Sequence, residues 1–120
     1  MATLKEPHRP STADLAVAAR LKDRVLAGGG ARVSRIILFG SRARGDARPD
    51  SDYDLLVIVR DASQADVREY RHRLYDVLRG LGATAEPWVM TEQEFEETCT
   101  VIGGLAYPAA TEGVVLYPNP

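Results

Sequence analysis

The sequence predicts an α/β sandwich in which helices cover one face of a small sheet. Two runs rich in β-branched and other apolar residues, Val33–Phe39 and Tyr53–Val59, predict buried strands. The segments between and around them carry apolar residues at helical spacing, which predicts amphipathic helices. Because strands alternate with helices, a layered α/β arrangement follows. The length of 120 residues suits a single domain, which we assign to residues 1–120.

The first predicted helix begins at Ser11 and stops at the glycine run 28–30. Ser11 is followed three residues later by Asp14, which is the spacing of a variant capping box. Three consecutive glycines are a strong signal for the end of a helix. Residues 1–10 contain two prolines and no periodic pattern, so we expect a loose N-terminal arm there.

The second half of the chain continues the alternation of helices and strands. The stretch Gln64–Leu81 predicts a long amphipathic helix, and residues 83–90 predict a third strand. Thr91 with Glu94 three residues later predicts the start of a short acidic helix. The closing residues 111–120 predict a last short strand that a proline ends.

Composition excludes several classes of protein. Apolar residues make up 45% and charged residues 27% of the chain, as in ordinary soluble domains. No apolar run reaches the roughly 18 residues needed to span a bilayer, so no membrane association is expected. Cys99 is the only cysteine, which excludes an internal disulfide and a thiolate zinc site. The first residues lack an apolar secretory core, and we expect a cytoplasmic location.

Charge is distributed unevenly along the sequence. The first 79 residues hold all 15 basic side chains and 11 acidic ones, whereas the remainder holds six glutamates and no base. The acidic tail is interpreted either as a solvated helix face or as a docking surface for a basic partner. The arginines of the long helix are interleaved with acids and lack an aromatic stacking platform, so direct nucleic-acid binding is not expected.

A pair of aspartates, Asp52 and Asp54, opens the second strand. Side chains two apart on a strand project from the same face, so both carboxylates point the same way. Two like charges this close repel each other unless a cation lies between them. Mg²⁺ prefers such oxygen ligands, and two ions about 4 Å apart can clamp a phosphoryl displacement. The alternative is that these residues are ordinary members of a polar turn.

A Gly-Ser turn, Gly40–Ser41, ends the first strand. Gly40 lets a phosphate approach the backbone closely, and a helix that starts here would favour anions at its N-terminus. Arg42 and Arg44 are placed to neutralise triphosphate charge or to guide a substrate. The alternative is a common strand terminator followed by surface arginines. The turn and the aspartates are weak signals separately, but together in one short segment they indicate nucleotidyl transfer.

This segment resembles the G-S-x-A-x-G…S-D-x-D-hydrophobic signature of the DNA polymerase beta-like nucleotidyltransferase superfamily. The short chain most resembles its minimal nucleotidyltransferases, the MNT proteins, which often pair with HEPN-domain partners. The matching residues are Gly40, Ser41, Ala43, Gly45, Ser51, Asp52, Asp54 and Leu55. The resemblance implies the polymerase beta-like fold with a small mixed sheet. It also implies catalytic metal-binding aspartates at Asp52 and Asp54 and phosphate contacts from Gly40 and Ser41.

The family normally carries a third carboxylate, an aspartate, on the next strand. The matching position here is Glu86, followed by Pro87 and Trp88 in place of aliphatic residues. The resemblance implies that Glu86 is a metal ligand and a general base for an incoming hydroxyl. The alternative is a plain surface glutamate in an impaired or inactive enzyme. Pro87 lacks a backbone N–H, which favours an edge strand or a bulge.

The resemblance implies a specific reaction and a specific partner. A Mg²⁺-dependent enzyme would move AMP from ATP to a hydroxyl, namely a tyrosine of a HEPN toxin. The chain would then act as an antitoxin of the kind called type VII. One alternative is a binding module that neutralises its partner by contact alone. Another is a transferase that acts on a small molecule such as an aminoglycoside.

Overall fold

A four-stranded mixed sheet forms the centre of the molecule, in a computed structural model that describes residues 9–29 and 32–118. The strand order is β3-β2-β1-β4. Strand β1 pairs antiparallel with β2 and with β4, whereas β2 and β3 run parallel. The predicted mixed sheet is thereby confirmed. The strands are β1 (Val33–Phe39), β2 (Tyr53–Val59), β3 (Ala85–Thr91) and β4 (Val114–Tyr117).

The described residues form five helices. They are α1 (Thr12–Ala27), α2 (Ser41–Arg44), α3 (Gln64–Val77), α4 (Glu92–Thr98) and α5 (Ala106–Glu112). The Ser11 hydroxyl accepts a hydrogen bond from the Asp14 N–H at 3.0 Å and caps α1, as its sequence pattern predicts. Within the described ranges, no helix has the length and apolar character that crossing a membrane requires.

The two long helices cover one face of the sheet. The other face, which the sequence prediction leaves uncovered, is covered by two short helices. Alternate side chains of β1 and β2 enter two separate apolar clusters. The first cluster contains side chains of α1 and α3. The second contains Phe95 of α4 with Ala106 and Ala109 of α5, packed on Ile37 and Leu56. Because both faces are covered, the sheet core is shielded from water on each side.

Most element boundaries agree with the sequence prediction. Strands β1 and β2 have the predicted bounds, but α3 ends at Val77 rather than Leu81 because Leu78 leaves the helical conformation and Gly80 has a φ of 82°. Helix α5 was not predicted. The predicted loose arm lies, for residues 1–8, outside the described residues.

Strand β3 is an edge strand, which explains how it tolerates a proline. Pro87 is opposite Leu55 of β2 in the parallel register, and its ring is buried. A central strand would need its backbone N–H for the ladder, whereas an edge strand pairs on one side only. The prediction of an edge position for Pro87 is confirmed.

Candidate active site

The sheet register places Asp54 in the middle of the candidate site. Asp54 is opposite Phe39 of β1 and opposite Glu86 of β3. Strand alternation directs it to the same face as Leu56, which is the face covered by α4 and α5. Asp54 is half-buried, whereas Asp52, just before the strand, is exposed. The charged pair therefore lies at the rim of the sheet, as predicted.

Burial and four neighbouring side chains act together on the Asp54 carboxyl group. Burial raises its pKa above the ordinary value, and the negative charges of Asp52 and Glu86 raise it further. The Trp88 indole N–H and Arg44 act in the opposite direction but do not reverse the shift. A carboxylate that lacks enough positive charge in its surroundings fits a divalent cation, because oxygen ligands of this kind are what Mg²⁺ prefers.

The raised pKa of Asp54 predicts a pH dependence of stability in metal-free protein. The folded state holds this proton more tightly than the unfolded chain does, so stability falls as pH rises from the ordinary value of 3.8 through the folded pKa. Asp54→Asn removes this cost. We expect the melting temperature of the variant in chelator, relative to the natural protein, to rise as the pH increases above the ordinary carboxyl value of 3.8. A difference that is independent of pH would contradict the assignment.

Gly40 brings the turn close to the Asp54 carboxylate. Its φ of 78° and ψ of −159° lie in a region that is essentially reserved for glycine. A Cβ atom at this position would lie only 2.5 Å from Asp54 Oδ2. Helix α2 begins at the next residue, Ser41. The two halves of the sequence signal, the turn and the carboxylates, therefore meet in space.

The third predicted carboxylate, Glu86, lies next to this pair but is held by other groups. Its Oε1 accepts hydrogen bonds from Tyr75 Oη at 2.7 Å and from Arg71 Nη2 at 3.2 Å. Among residues 9–29 and 32–118, no three His, Cys, Asp or Glu side chains form a group that could hold a metal ion. Among the described residues, Asp52, Asp54 and Glu86 therefore do not form a group that could hold a metal ion, and Arg71 and Tyr75 of α3 bond the Glu86 carboxylate.

Arg71 fastens helix α3 to the edge strand. Its Nε donates to the Pro87 carbonyl oxygen at 2.8 Å, and its guanidinium lies 4.2 Å from the centre of the Trp88 ring. With the ion pair to Glu86, it contacts three consecutive residues of β3. Such a planar, multiply bonded arginine fixes the strand segment that carries Glu86.

Arg44 remains beside the candidate site. It pairs with Asp46 and Glu112, each at 3.3 Å, and its side chain is one-third exposed. Its positive charge reaches Asp54 and lowers the pKa of that carboxyl group, although burial outweighs it. Both ion pairs are partly exposed and therefore weak, so Arg44 can exchange them for an anionic ligand.

Arg42 makes a set of contacts within the chain that compete with its predicted phosphate-binding role. Its guanidinium is bonded to the carbonyl oxygens of Pro49 and Ser51 and to Asp14 Oδ1, and it lies 4.5 Å from the centre of the Tyr53 ring. The side chain is only 12% exposed. A phosphate contact would require these bonds to break, so the structure assigns Arg42 to holding the 49–51 loop against α1.

The protein should unfold more easily when Arg42 is replaced by alanine. Arg42→Ala leaves the Asp14 carboxylate, 13% exposed, without its cationic partner, and we expect a loss of about 3 kcal/mol in the free energy of unfolding. The matched control is Arg32→Ala, because its ion pair with Asp61 is 72% and 66% exposed. That control should cost less than about 1 kcal/mol. Equal losses measured by urea denaturation would contradict a structural role for Arg42.

Sequence reasoning missed the contributions of Arg71, Tyr75 and Trp88 to this site. Arg71 and Tyr75 lie outside the apolar stripe that the sequence predicts for this helix. Their contacts reach residues 11 to 16 positions away. Trp88 has a local signal, because it replaces an aliphatic residue next to the third carboxylate. That signal indicates an altered site, but it does not show that the indole N–H acts on the Asp54 carboxyl group.

Comparison with known proteins gives a consistent family assignment. A protein-family model described as a nucleotidyltransferase domain matches residues 17–103. No curated protein matches the chain. Among solved structures, the chain is similar to a protein from Sulfolobus solfataricus assigned as a nucleotidyltransferase, with a TM-score of 0.58 and 22% identity over 86% of this chain and 78% of the other. It is also similar to a mutant of the MntA–HpeT toxin–antitoxin complex, with a TM-score of 0.56 and 17% identity over 84% and 73%.

Proposed function

The chain belongs to the nucleotidyltransferase domain family, and from that premise we propose that it transfers AMP from ATP to a hydroxyl group with the help of Mg²⁺. The observation that carries this proposal is the close approach of Gly40 to the Asp54 carboxylate, which leaves no room for a side chain at position 40. It joins a phosphate-binding turn to a metal-binding carboxylate, which is the pairing that nucleotidyl transfer requires.

Asp52 and Asp54 would hold the divalent metal. The family arrangement would use two such ions. A bound divalent ion supplies positive charge that stabilises the phosphate oxygens as charge develops on them. Gly40 and Ser41 contact the phosphates. Because Gly40 has no side chain, a phosphate can approach its backbone closely. Arg44 lies beside them and adds positive charge. The protein contributes positioning and fixed charges rather than covalent chemistry.

Glu86 receives the proton of the acceptor hydroxyl. It lies opposite Asp54 on the neighbouring strand, and Arg71 fixes its carboxylate. A carboxylate that already accepts a hydrogen bond from a hydroxyl at 2.7 Å has the geometry of a general base. The extra methylene of glutamate extends its reach compared with the aspartate of the family pattern.

The acceptor is a tyrosine of a HEPN toxin, and the chain is its antitoxin. The similarity to the MntA–HpeT toxin–antitoxin complex supports this assignment. Helix α4 presents Glu92, Glu96 and Glu97 as exposed acids, which offers a basic partner a complementary surface. The partner's affinity would then depend on salt concentration.

A second candidate function is neutralisation of the partner by contact alone. The observation that favours it is that Arg71 and Tyr75 already occupy the Glu86 carboxylate. In that case the aspartates would be dispensable for antitoxin activity. A small-molecule acceptor such as an aminoglycoside is supported by no additional contact in the described residues.

One experiment separates these functions. The purified protein, Mg²⁺ and α-labelled ATP are incubated with the product of the neighbouring reading frame, beside an Asp52→Asn/Asp54→Asn variant. Asp50→Asn is the matched control, because Asp50 is an exposed acid of the same loop. Label on the partner with the natural protein and the control, but not with the double variant, supports the enzyme. Full inhibition of the partner by the double variant, without label, would establish the binding module instead.

A further inference from the structure

Tyr75 is the one exposed tyrosine in the described chain whose hydroxyl bonds to a carboxylate. Its side chain is on α3, and the residue is 39% exposed. Its Oη donates to Glu86 Oε1 at 2.7 Å. Tyr53 also donates to a carboxylate, that of Asp14, but it is buried in the apolar cluster that α1 and α3 cover. The Tyr75 hydroxyl therefore combines access to solvent with a base in contact.

Tyr75, Glu86 and Arg71 form a nucleophile, a base and an orienting group. A nucleophile within about 2.6–3.2 Å of a base that a third group holds in place is the general signature of an activated nucleophile. Arg71 Nη2 bonds Glu86 Oε1 at 3.2 Å and Tyr75 Oη at 3.3 Å. Its positive charge stabilises both the carboxylate and a phenolate that forms beside it.

This group of three side chains adjoins the predicted nucleotide site. Glu86 is the register partner of Asp54 on the neighbouring parallel strand, so their Cα atoms are about 4.8 Å apart. The negative charge of Glu86 is close enough to act on the Asp54 carboxyl group. The Tyr75 hydroxyl thus contacts the carboxylate whose charge acts on Asp54, a predicted member of the nucleotide site.

We propose that Tyr75 is an acceptor for the chain's own nucleotidyl transfer, so that the protein modifies itself. This inference rests on the proposed function. Tyr75 Oη attacks the α-phosphorus of a nucleoside triphosphate and forms an O–P bond. The bond from that phosphorus to the bridging oxygen breaks, pyrophosphate leaves, and the phenol proton passes to Glu86. The product carries a nucleoside monophosphate on Tyr75 as a phosphodiester, and the hydroxyl that binds Glu86 is consumed.

The test is self-labelling without any added partner. Purified protein is incubated with Mg²⁺ and α-labelled ATP, and the modified residue is located by peptide mass spectrometry. We expect Tyr75→Phe to reduce the label by about tenfold or more and Tyr107→Phe to change it by less than about twofold. Tyr107 is the matched control, since its residue is half-buried on α5. Because nucleophile and base belong to one chain, the rate constant should not depend on protein concentration.

A second measurement reports the hydrogen bond itself in metal-free protein. Glu86→Gln replaces the accepting carboxylate, so it should shift the NMR signal of the Tyr75 Cζ carbon and leave that of Tyr107 in place. Circular dichroism of each variant confirms that it is folded. An unmoved Tyr75 signal would overturn the nucleophile–base pair without reference to catalysis.

The outcomes separate this inference from the proposed function. Protein that binds ATP with Mg²⁺ in an Asp54-dependent manner but leaves Tyr75 unlabelled overturns the inference alone. Label on Tyr75 that persists in Asp52→Asn/Asp54→Asn also overturns it, since the transfer would not need the site. Protein that neither binds ATP with Mg²⁺ nor transfers label to any acceptor overturns both.

Discussion

Asp54→Asn should reduce nucleotidyl transfer by about 10³-fold, which corresponds to about 4 kcal/mol of activation free energy. Asn keeps the shape of the side chain but removes the charge that, in the proposed function, would hold a divalent ion, and such an ion supplies several kcal/mol of charge stabilisation. The fold should survive, because the natural carboxylate is half-buried and carries a raised pKa that costs stability in metal-free protein. Transfer of α-labelled AMP, with circular dichroism as the measure of folding, checks both expectations.

Asp50→Asn is the control for the Asp54→Asn experiment. Asp50 is an exposed acid in the same polar loop, outside the predicted metal-binding pair. It should keep its transfer rate to within about twofold, because surface substitutions away from a site have small effects. Equal losses from Asp50→Asn and Asp54→Asn would mean that general negative charge, rather than metal binding at one position, matters.

Gly40→Ala should damage both stability and activity. The backbone at Gly40 has φ of 78° and ψ of −159°, which costs a residue with a side chain about 1–3 kcal/mol. The new Cβ would lie 2.5 Å from Asp54 Oδ2, so the carboxylate must move. A displacement of about 1 Å at a reacting centre can cost about 10²-fold in rate, and we expect a loss of that size. Thermal unfolding and AMP transfer measure the two effects.

Gly80→Ala separates backbone strain from collision with the site. Gly80 also has a positive φ, 82°, but a Cβ there would meet nothing within 4 Å. It should cost stability by about 1 kcal/mol and leave the transfer rate within about twofold. If Gly80→Ala lowers the transfer rate as much as Gly40→Ala, the close approach of Gly40 to Asp54 does not contribute to catalysis.

The parts of the fold that sequence predicts well are those with strong local signals. Strands β1 and β2 are dense in β-branched residues and are ended by glycine or charge, so their bounds follow directly. Helix α5 lacks such signals. Its N-cap, Leu105, makes no side-chain hydrogen bond, and its buried positions Ala106 and Ala109 are small. It forms because those alanines complete the second apolar cluster, which is a tertiary effect.

The residues of the candidate site also differ in how well the sequence predicts them. Gly40 and Asp54 are predicted by motif and meet in space because β1 and β2 are antiparallel neighbours, with Phe39 opposite Asp54. The sequence does not predict the contacts of Arg42, since its partner Asp14 is 28 residues earlier. Asp14 itself illustrates the same limit. Its N–H completes the α1 cap, while its carboxylate bonds Arg42 and Tyr53 instead of the backbone of Ser11.

Metal-dependent nucleotide binding tests the central claim most directly, because it needs no knowledge of the acceptor. Calorimetric titration with ATP is compared in Mg²⁺ and in chelator, for the natural protein, Asp54→Asn and Asp50→Asn. The geometry of Gly40 and the aspartates predicts binding that requires Mg²⁺, that Asp50→Asn retains and that Asp54→Asn loses by about tenfold or more. Binding of equal strength in chelator, or in Asp54→Asn, would contradict the assignment of this site to nucleotidyl transfer.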